Sequence, residues 1–415
     1  MRLEPFRYRG FSLLWIAGLI SLTGDWLLSV ALPIYIYRLT GSPAAVSAIV
    51  ATNVAARLLF GALAGVYVDR WDRRRVLIWA NVALTAALLP LLAVTSADRV
   101  WLACAVTFVV AVLAQLVSPA EHALLPRLVD PAELTAANSL NTLNNNLARL
   151  IGPALGGLAA VGLGLSGVVL LDAASFLVAA GLVALIRGSY RAEAKLSEPL
   201  ARELRDGFVI VGRTPVLRAL FTVLAVTSVG EGVMSSLFAV FVDRGLGGGP
   251  GELGALMSAQ AVGGIAGGLG CAWLAAHTSP VRMVGVGLVL FGAVDLVIFN
   301  YPRWATAIGP ELALFVLVGI PGAVLIAGAM TLLQTEVVDA LRGRVFAVAG
   351  VLQAGGMLAG TGLAATLTDR VGVLTMLTIQ GLGYVLAGIW FIASVRVEAP
   401  AGLATEVPGH DHALQ

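Results

Sequence analysis

The sequence predicts an all-α integral membrane protein, with twelve transmembrane helices in two pseudosymmetric six-helix bundles. Three observations predict it. Of 415 residues, 59% are hydrophobic and only 12% charged, where a soluble domain carries roughly 25% charged residues. The apolar residues gather into twelve runs, each near the roughly 20 residues that cross a bilayer. The second half of the chain also echoes the first at a nearly constant spacing.

The runs cover 11–37, 44–69, 75–95, 99–119, 136–161, 166–187, 216–243, 251–276, 281–300, 305–335, 342–368 and 373–396. Turn or charge signals separate them, among them Gly41-Ser42-Pro43, Arg70 to Arg75, Gly247 to Gly251 and Tyr301-Pro302-Arg303. The first run is longer than the core of a signal peptide and lacks a small-residue cleavage site, so it is expected to stay as a span. If the N-terminus is cytoplasmic, nineteen basic residues fall in cytoplasmic segments and five in outer loops. The positive-inside rule therefore puts both termini in the cytoplasm. The expected organisation is a first bundle over 1–187, a cytoplasmic linker over 188–215, a second bundle over 216–396 and a disordered tail over 397–415. The linker contains PLARELRDGFVIVGRTP, a short amphipathic helix expected on the membrane surface.

The internal repeat is visible on comparing 23–41 with 229–247. At an offset of 206, Gly24 matches Gly230, Asp25 matches Glu231, Arg38 matches Arg244 and Gly41 matches Gly247. Asp130 and Asp339 align in a second echo, at 209. Six spans, a basic linker and six more spans are the pattern of a duplicated transporter fold.

Several function classes are excluded. A net charge of +2 is too small to suggest nucleic acid, and the two cysteines, Cys104 and Cys271, provide neither a disulfide framework nor metal-ligand spacing. No Gly-x-x-x-x-Gly-Lys-Ser/Thr loop occurs, so the chain is not expected to hydrolyse ATP. His410 and His412 in the tail could touch a metal, but two histidines in such a tail are not expected to form a site. No cofactor is expected, and neither a membrane enzyme nor a non-transporting sensor finds its residues here.

Four ionisable side chains fall near mid-span: Asp25, Arg57, Arg149 and Glu231. Each costs about 2.5–3.5 kcal/mol facing lipid on insertion scales, on the order of 10 kcal/mol together, comparable to the stability of a whole fold. They are expected to face a central cavity or each other, with Asp25 and Arg57 as natural partners. Low dielectric favours the neutral carboxyl, and a nearby arginine favours the carboxylate, so these groups are the candidates for binding a proton or a charged substrate. Asn53, Arg57, Gly61 and Gly65 share one face of span two. Gln115, Gln260 and Gln353 line the cavity or bridge helices. Asp172 is expected near the outer end of span six in a structural role, and Asp295 in span nine has no assigned role. Trp15, Trp26, Phe108, Phe238 and Phe241 are candidates for an apolar wall or for packing. In NSLNTLNNNLARLIGPALGG, residues Asn138, Asn141, Asn145, Arg149, Gly152 and Gly156 recur at helical spacing, which predicts a polar track along span five.

The run GALAGVYVDRWDRRRVL, with Gly65, Asp69, Arg70, Arg73 and Arg74, resembles the second-to-third-helix loop of the major facilitator superfamily. Asp72 stands where that pattern has its second glycine. ARLIGPALGG, with Gly152, Pro153, Gly156 and Gly157, resembles the fifth-helix Gly-Pro motif of drug/proton antiporters. PAEHALLPRLV and RGRVFAVAGVL are similar to the drug and siderophore exporter branch, which includes macrolide efflux pumps and the enterobactin exporter. The resemblance implies alternating access and proton-coupled efflux of amphiphilic or lipophilic small molecules by a monomer in a bacterial cytoplasmic membrane. It also implies that Asp69 and its arginines latch one bundle to the other in the outward-facing state. Span four departs from the family in lacking its buried arginine, a charge that Arg149 is placed to supply. A narrower alternative is export of a siderophore or other anionic metabolite held by Arg57 and Arg149.

Overall fold

Hydrocarbon offers no partner for a free backbone N–H or C=O, so a spanning segment must satisfy them within itself, as a helix does. The computed structural model describes residues 4–68, 71–188, 190 and 200–395. Asp69 and Arg70 of the expected latch, most of 188–199 and the tail 397–415 lie outside the described residues. The helices are α1 (Arg9–Thr40), α2 (Pro43–Val68), α3 (Arg73–Leu88), α4 (Val100–Leu124), α5 (Leu134–Ala184), α6 (Leu200–Arg213), α7 (Pro215–Val240), α8 (Pro250–His277), α9 (Pro280–Asn300), α10 (Ile308–Glu336), α11 (Asp339–Val371) and α12 (Val373–Ser394). All but α6 are long and apolar enough to cross a membrane.

Among the described residues, eleven such helices provide twelve crossings because α5 holds two. Spans five and six run together through Gly164, whose φ of 64° and ψ of −173° reverse the chain without a loop. That conformation is essentially reserved for glycine, and it replaces the short loop the sequence suggested at 162–165. The linker helix α6 is held by the second bundle: Asp206 accepts from Arg344 at 2.7 Å, and Val211 is buried beside Leu217, Val345 and Val348.

The repeat reappears as packing. Span five lies on α1, where a β-carbon at Gly156 would sit 2.7 Å from Leu27 Cα and one at Gly152 would overlap the Trp26 side chain. In the second half α11 lies on α7 in the same way, with Gly356 against Ser228 and Gly360 against Val229. Small residues allow close helix approach where apolar burial gives no driving force. Both Gly41 and Gly247 take positive φ, 66° and 65°, and each leads into a helix that begins at a proline, Pro43 or Pro250.

Call the end of the molecule bearing the start of α1 and the end of α12 the terminal end, and the opposite one the distal end. Four buried clusters form the core. At the distal end, Val30 and Ile34 of α1 pack with Val233, Leu237 and Phe241, and Val240 and Val373 join a cluster made otherwise of first-half residues. At the terminal end each cluster stays within one half: Phe11 to Ile186 in one, Val211 to Val395 in the other. The bundles are therefore joined distally and separate at the terminal end.

The strained glycine gives a first prediction. A β-carbon at Gly164 would meet nothing within 4 Å, so Gly164→Ala tests backbone strain alone. It should cost about 1–3 kcal/mol, read as a lower melting temperature of the full chain in detergent; an unchanged melting temperature would contradict the role assigned to this residue.

Candidate functional site

The four mid-span ionisable groups are accessible, and each sits on a helix that touches both halves of the molecule. A side chain facing an open space between the bundles has this character. Their order is set by helix neighbours. Asp25 on α1 lies within the electrostatic reach of Arg57 on α2, the partnership expected from their matching depth. Glu231 on α7 lies within reach of Arg149 on span five, so this second pair joins opposite bundles. Neither pair is in direct contact.

A second tier of polar residues lies behind them. Asp172 is buried at 1% exposure. Its Oδ1 and the Ser175 hydroxyl fill the space that Gly24, the residue before Asp25, leaves open. Asp172 therefore lies level with Asp25, deeper than an outer-end position. In the second bundle a β-carbon at Gly230 would meet the Tyr384 ring at 2.5 Å. The Tyr384 hydroxyl donates to the Thr227 carbonyl at 3.0 Å. Asp295 is buried, with the Gln380 amide donating to it at 3.5 Å, and Glu231 acts on it electrostatically. Each accessible carboxylate thus has a buried carboxyl group behind it, contributed by a different helix.

The remaining expected polar positions divide. Asn145 and Gln353 are accessible, while Asn53 and Gln260 are half-buried. Gln115 donates to Ala111 O in its own helix at 3.2 Å and packs against Gly61 of α2, which joins helices. Asn141 is buried. Neighbouring Asn144, fully buried, donates to the Trp15 carbonyl at 2.6 Å, and the Trp15 indole donates to Leu140 O at 2.8 Å. The polar face of span five is therefore shared: Asn138, Asn145 and Arg149 are open, and Gly152 and Gly156 press against α1. The aromatics are mainly packing, with Phe241 edge-on to Phe299, Phe238 stacked on Phe315 and Phe108 edge-on to Phe60.

The Gly-Pro motif has a second side. A β-carbon at Gly157 would lie 2.5 Å from Pro250 O, and one at Gly254 would overlap the Pro153 carbonyl. Pro153 and Gly157 thus form a backbone seam with α8 of the other bundle, while Gly152 and Gly156 bind α1. Motif residues Arg73 and Arg74 lie at the terminal end. In this state Arg74 donates to the carbonyls of Val183 (3.3 Å) and Ala184 (2.6 Å), the last of α5, and Arg73 donates to Tyr190 O at 3.2 Å. Cations suit a helix C-terminus. Asp72 caps α3 by accepting from Arg75 N at 3.0 Å and also accepts from Tyr190 N at 2.8 Å.

The distal closure rests on residues whose role the sequence did not disclose. Arg38, at the end of α1, donates to Asp243 at 2.7 Å and to Gly248 O at 3.0 Å. Its repeat partner Arg244 reaches back to donate to Gly41 O at 3.1 Å and lies over the Tyr37 ring at 5.1 Å. The two arginines form a reciprocal clamp between bundles. Their match in the repeat was the available signal.

An exposed ion pair such as Arg38–Asp243 is worth up to about 1 kcal/mol, so neutralising Arg38 should raise the distal-open population about fivefold. Neutralising Arg244, which offers a carbonyl hydrogen bond and a ring contact, should raise it in the same direction. Spin labels at Thr40 and Leu246 should show longer distances in Arg38→Gln and Arg244→Gln than in the parent. Identical distributions would reject the clamp.

Comparison with known proteins agrees with this architecture. The family model described as "transmembrane secretion effector", of the major facilitator superfamily, matches residues 1–412. The chain is 30% identical over 409 residues to the multidrug efflux pump Tap of Mycobacterium tuberculosis, covering 94% of this chain and 93% of that one. It is 24% identical over 373 residues to macrolide efflux protein A of Streptococcus pyogenes, covering 88% and 90%. Among solved structures it resembles a bacterial homologue of the iron transporter ferroportin in an inward-facing state, with a TM-score of 0.77, 16% identity and coverage of 95% and 100%. It also resembles the nucleoside transporter NupG, with a TM-score of 0.79, 12% identity and coverage of 93% and 100%.

Proposed function

This chain belongs to the transmembrane secretion effectors of the major facilitator superfamily, and on that premise we propose that it is a proton-coupled exporter of amphiphilic or lipophilic small molecules. The bundles over 1–187 and 216–396 rock against each other to alternate access, in a bacterial cytoplasmic membrane with both termini inside. The observation that carries this reading is the pairing of Glu231 with Arg149 across the bundles. A carboxylate that feels the charge of an arginine in the other bundle without touching it couples its ionisation to the distance between bundles, which is what an antiporter requires. The names of the relatives, macrolide and multidrug efflux proteins, support the substrate class.

In the terminal-open state the charged groups are accessible from the cytoplasm. A substrate entering there, cationic or polarised, competes with the proton for Asp25 or Glu231, and the proton leaves inward. Once the distal clamp opens, the carboxylate is exposed to the outside, takes a proton and releases the substrate. Arg57 and Arg149 stabilise the carboxylate that the departing proton leaves behind. The apolar walls and few fixed charges suit loosely specific binding.

Asp25→Asn and Glu231→Gln should each abolish transport driven by an imposed pH gradient in reconstituted vesicles, with a loss of at least about tenfold, while downhill substrate exchange persists. Arg149→Gln should uncouple the gradient from export. Wild-type driven rates in both carboxylate variants would reject the proposal.

A further inference from the structure

The four mid-span charges and the distal clamp do not use the cavity of about 290 Å³ at the terminal end of the first bundle. Three arginines from three different places in the chain line it: Arg9 at the start of α1, Arg127 after α4, and Arg187 after span six. All three are accessible, and among the described residues none has a hydrogen bond or ion pair for its side chain. Of the carboxylates bonded nearby, Asp130 is taken by the Tyr8 hydroxyl, which also accepts from Arg7 at 3.2 Å, and Asp72 by Arg75 N and Tyr190 N. The start of α1 adds to the positive field. Its N-cap Tyr8 makes no side-chain cap and its first turn holds no acidic residue, so no side chain of this turn offsets the positive end of the helix dipole.

Three unpaired cations around one cavity repel each other, so the arrangement is complete only with an anion inside. The rest of the lining specifies which kind. Leu13, Leu128 and Ile186 give the cavity an apolar side, and it lies where spans one, four and six end, at the boundary between hydrocarbon and water. Planar guanidinium groups match phosphate oxygens two at a time, and basic pockets between helix ends are a recurrent setting for anionic lipid headgroups. We propose that this cavity is a binding site for a phosphodiester, the headgroup of an anionic phospholipid, held by Arg9, Arg127 and Arg187. Bound there, the headgroup ties together the ends of three spans. It also abuts Arg187 and Tyr190, where the Tyr190 hydroxyl donates to Arg187 O at 2.8 Å and the Tyr190 backbone is held by Asp72 and Arg73. The site is independent of the transport reading and does not depend on which leaflet it faces.

The test is thermal melting of the purified full chain in detergent, titrated with phosphatidylglycerol, phosphatidylcholine or soluble glycerol phosphate. Phosphatidylglycerol should raise the melting temperature of the parent, and phosphatidylcholine should not. The variant Arg9→Gln/Arg127→Gln/Arg187→Gln should need about a hundredfold more phosphatidylglycerol for the same shift. An equally charge-reduced control outside the cavity, on the linker helix and the second bundle, Arg213→Gln/Arg218→Gln/Arg282→Gln, should respond like the parent. Arg127→Gln alone, less exposed to folding defects, should need about fivefold more. Equal responses in the parent and the triple variant, or an equal response to phosphatidylcholine, would overturn the site. A shift by glycerol phosphate as strong as that by the lipid, and lost in the triple variant, would overturn the lipid as its source.

Discussion

Charge placed in hydrocarbon is the constraint on which the rest of this structure depends. A lipid-facing Asp25, Arg57, Arg149 or Glu231 would forfeit a sizeable part of the stability of the fold, so the helices that carry them must surround a space of their own. Two bundles closed at one end supply that space. The same constraint explains the second tier, in which Asp172 and Asp295 are buried behind the accessible carboxylates and furnished with Ser175 and Gln380. It also explains why the wholly apolar contacts are spent elsewhere, in clusters that fix each bundle and seal the distal end.

Duplication gives this arrangement its mechanics. Two copies of one helix end, each with a positive-φ glycine and an arginine five or fewer residues apart, meet about a pseudo-twofold axis and clasp each other's loops. The clasp is polar and partly exposed, with the Arg38 side chain at 51% exposure and that of Asp243 at 23%, so it is weak enough to open. The glycine seam between span five and α8 lies beside it and consists of backbone against backbone, a surface that tolerates sliding better than interlocked side chains. A weak lock beside a smooth seam is suited to a rocking motion.

Much of this was legible in the sequence, and the reasons differ by element. The spans follow from solvent alone, so hydropathy located them. The repeat located Arg38 and Arg244 as equivalents, but their reciprocal grip exists only once both halves are assembled. Spacing showed that Asn141, Gly152 and Gly156 share a face with Arg149. It did not show that part of this face belongs to α1, because small and polar residues serve helix packing and water-lined cavities equally well. Gly164 falls in the gap between the runs 136–161 and 166–187, and nothing local distinguishes a one-residue reversal from a short turn. Arg73 and Arg74 were recognisable as a motif, while their carbonyl partners at the end of span six, more than a hundred residues away, were not.

The central claim, that fixed charges of opposite bundles link proton entry to export, is tested most directly in vesicles reconstituted with the full chain. Efflux is followed under an imposed pH gradient for cationic, neutral and anionic amphiphiles of matched size. The account predicts gradient-dependent export that favours cationic and neutral compounds, with a proton moving against the substrate. Export indifferent to the gradient, or confined to anionic compounds, would contradict it.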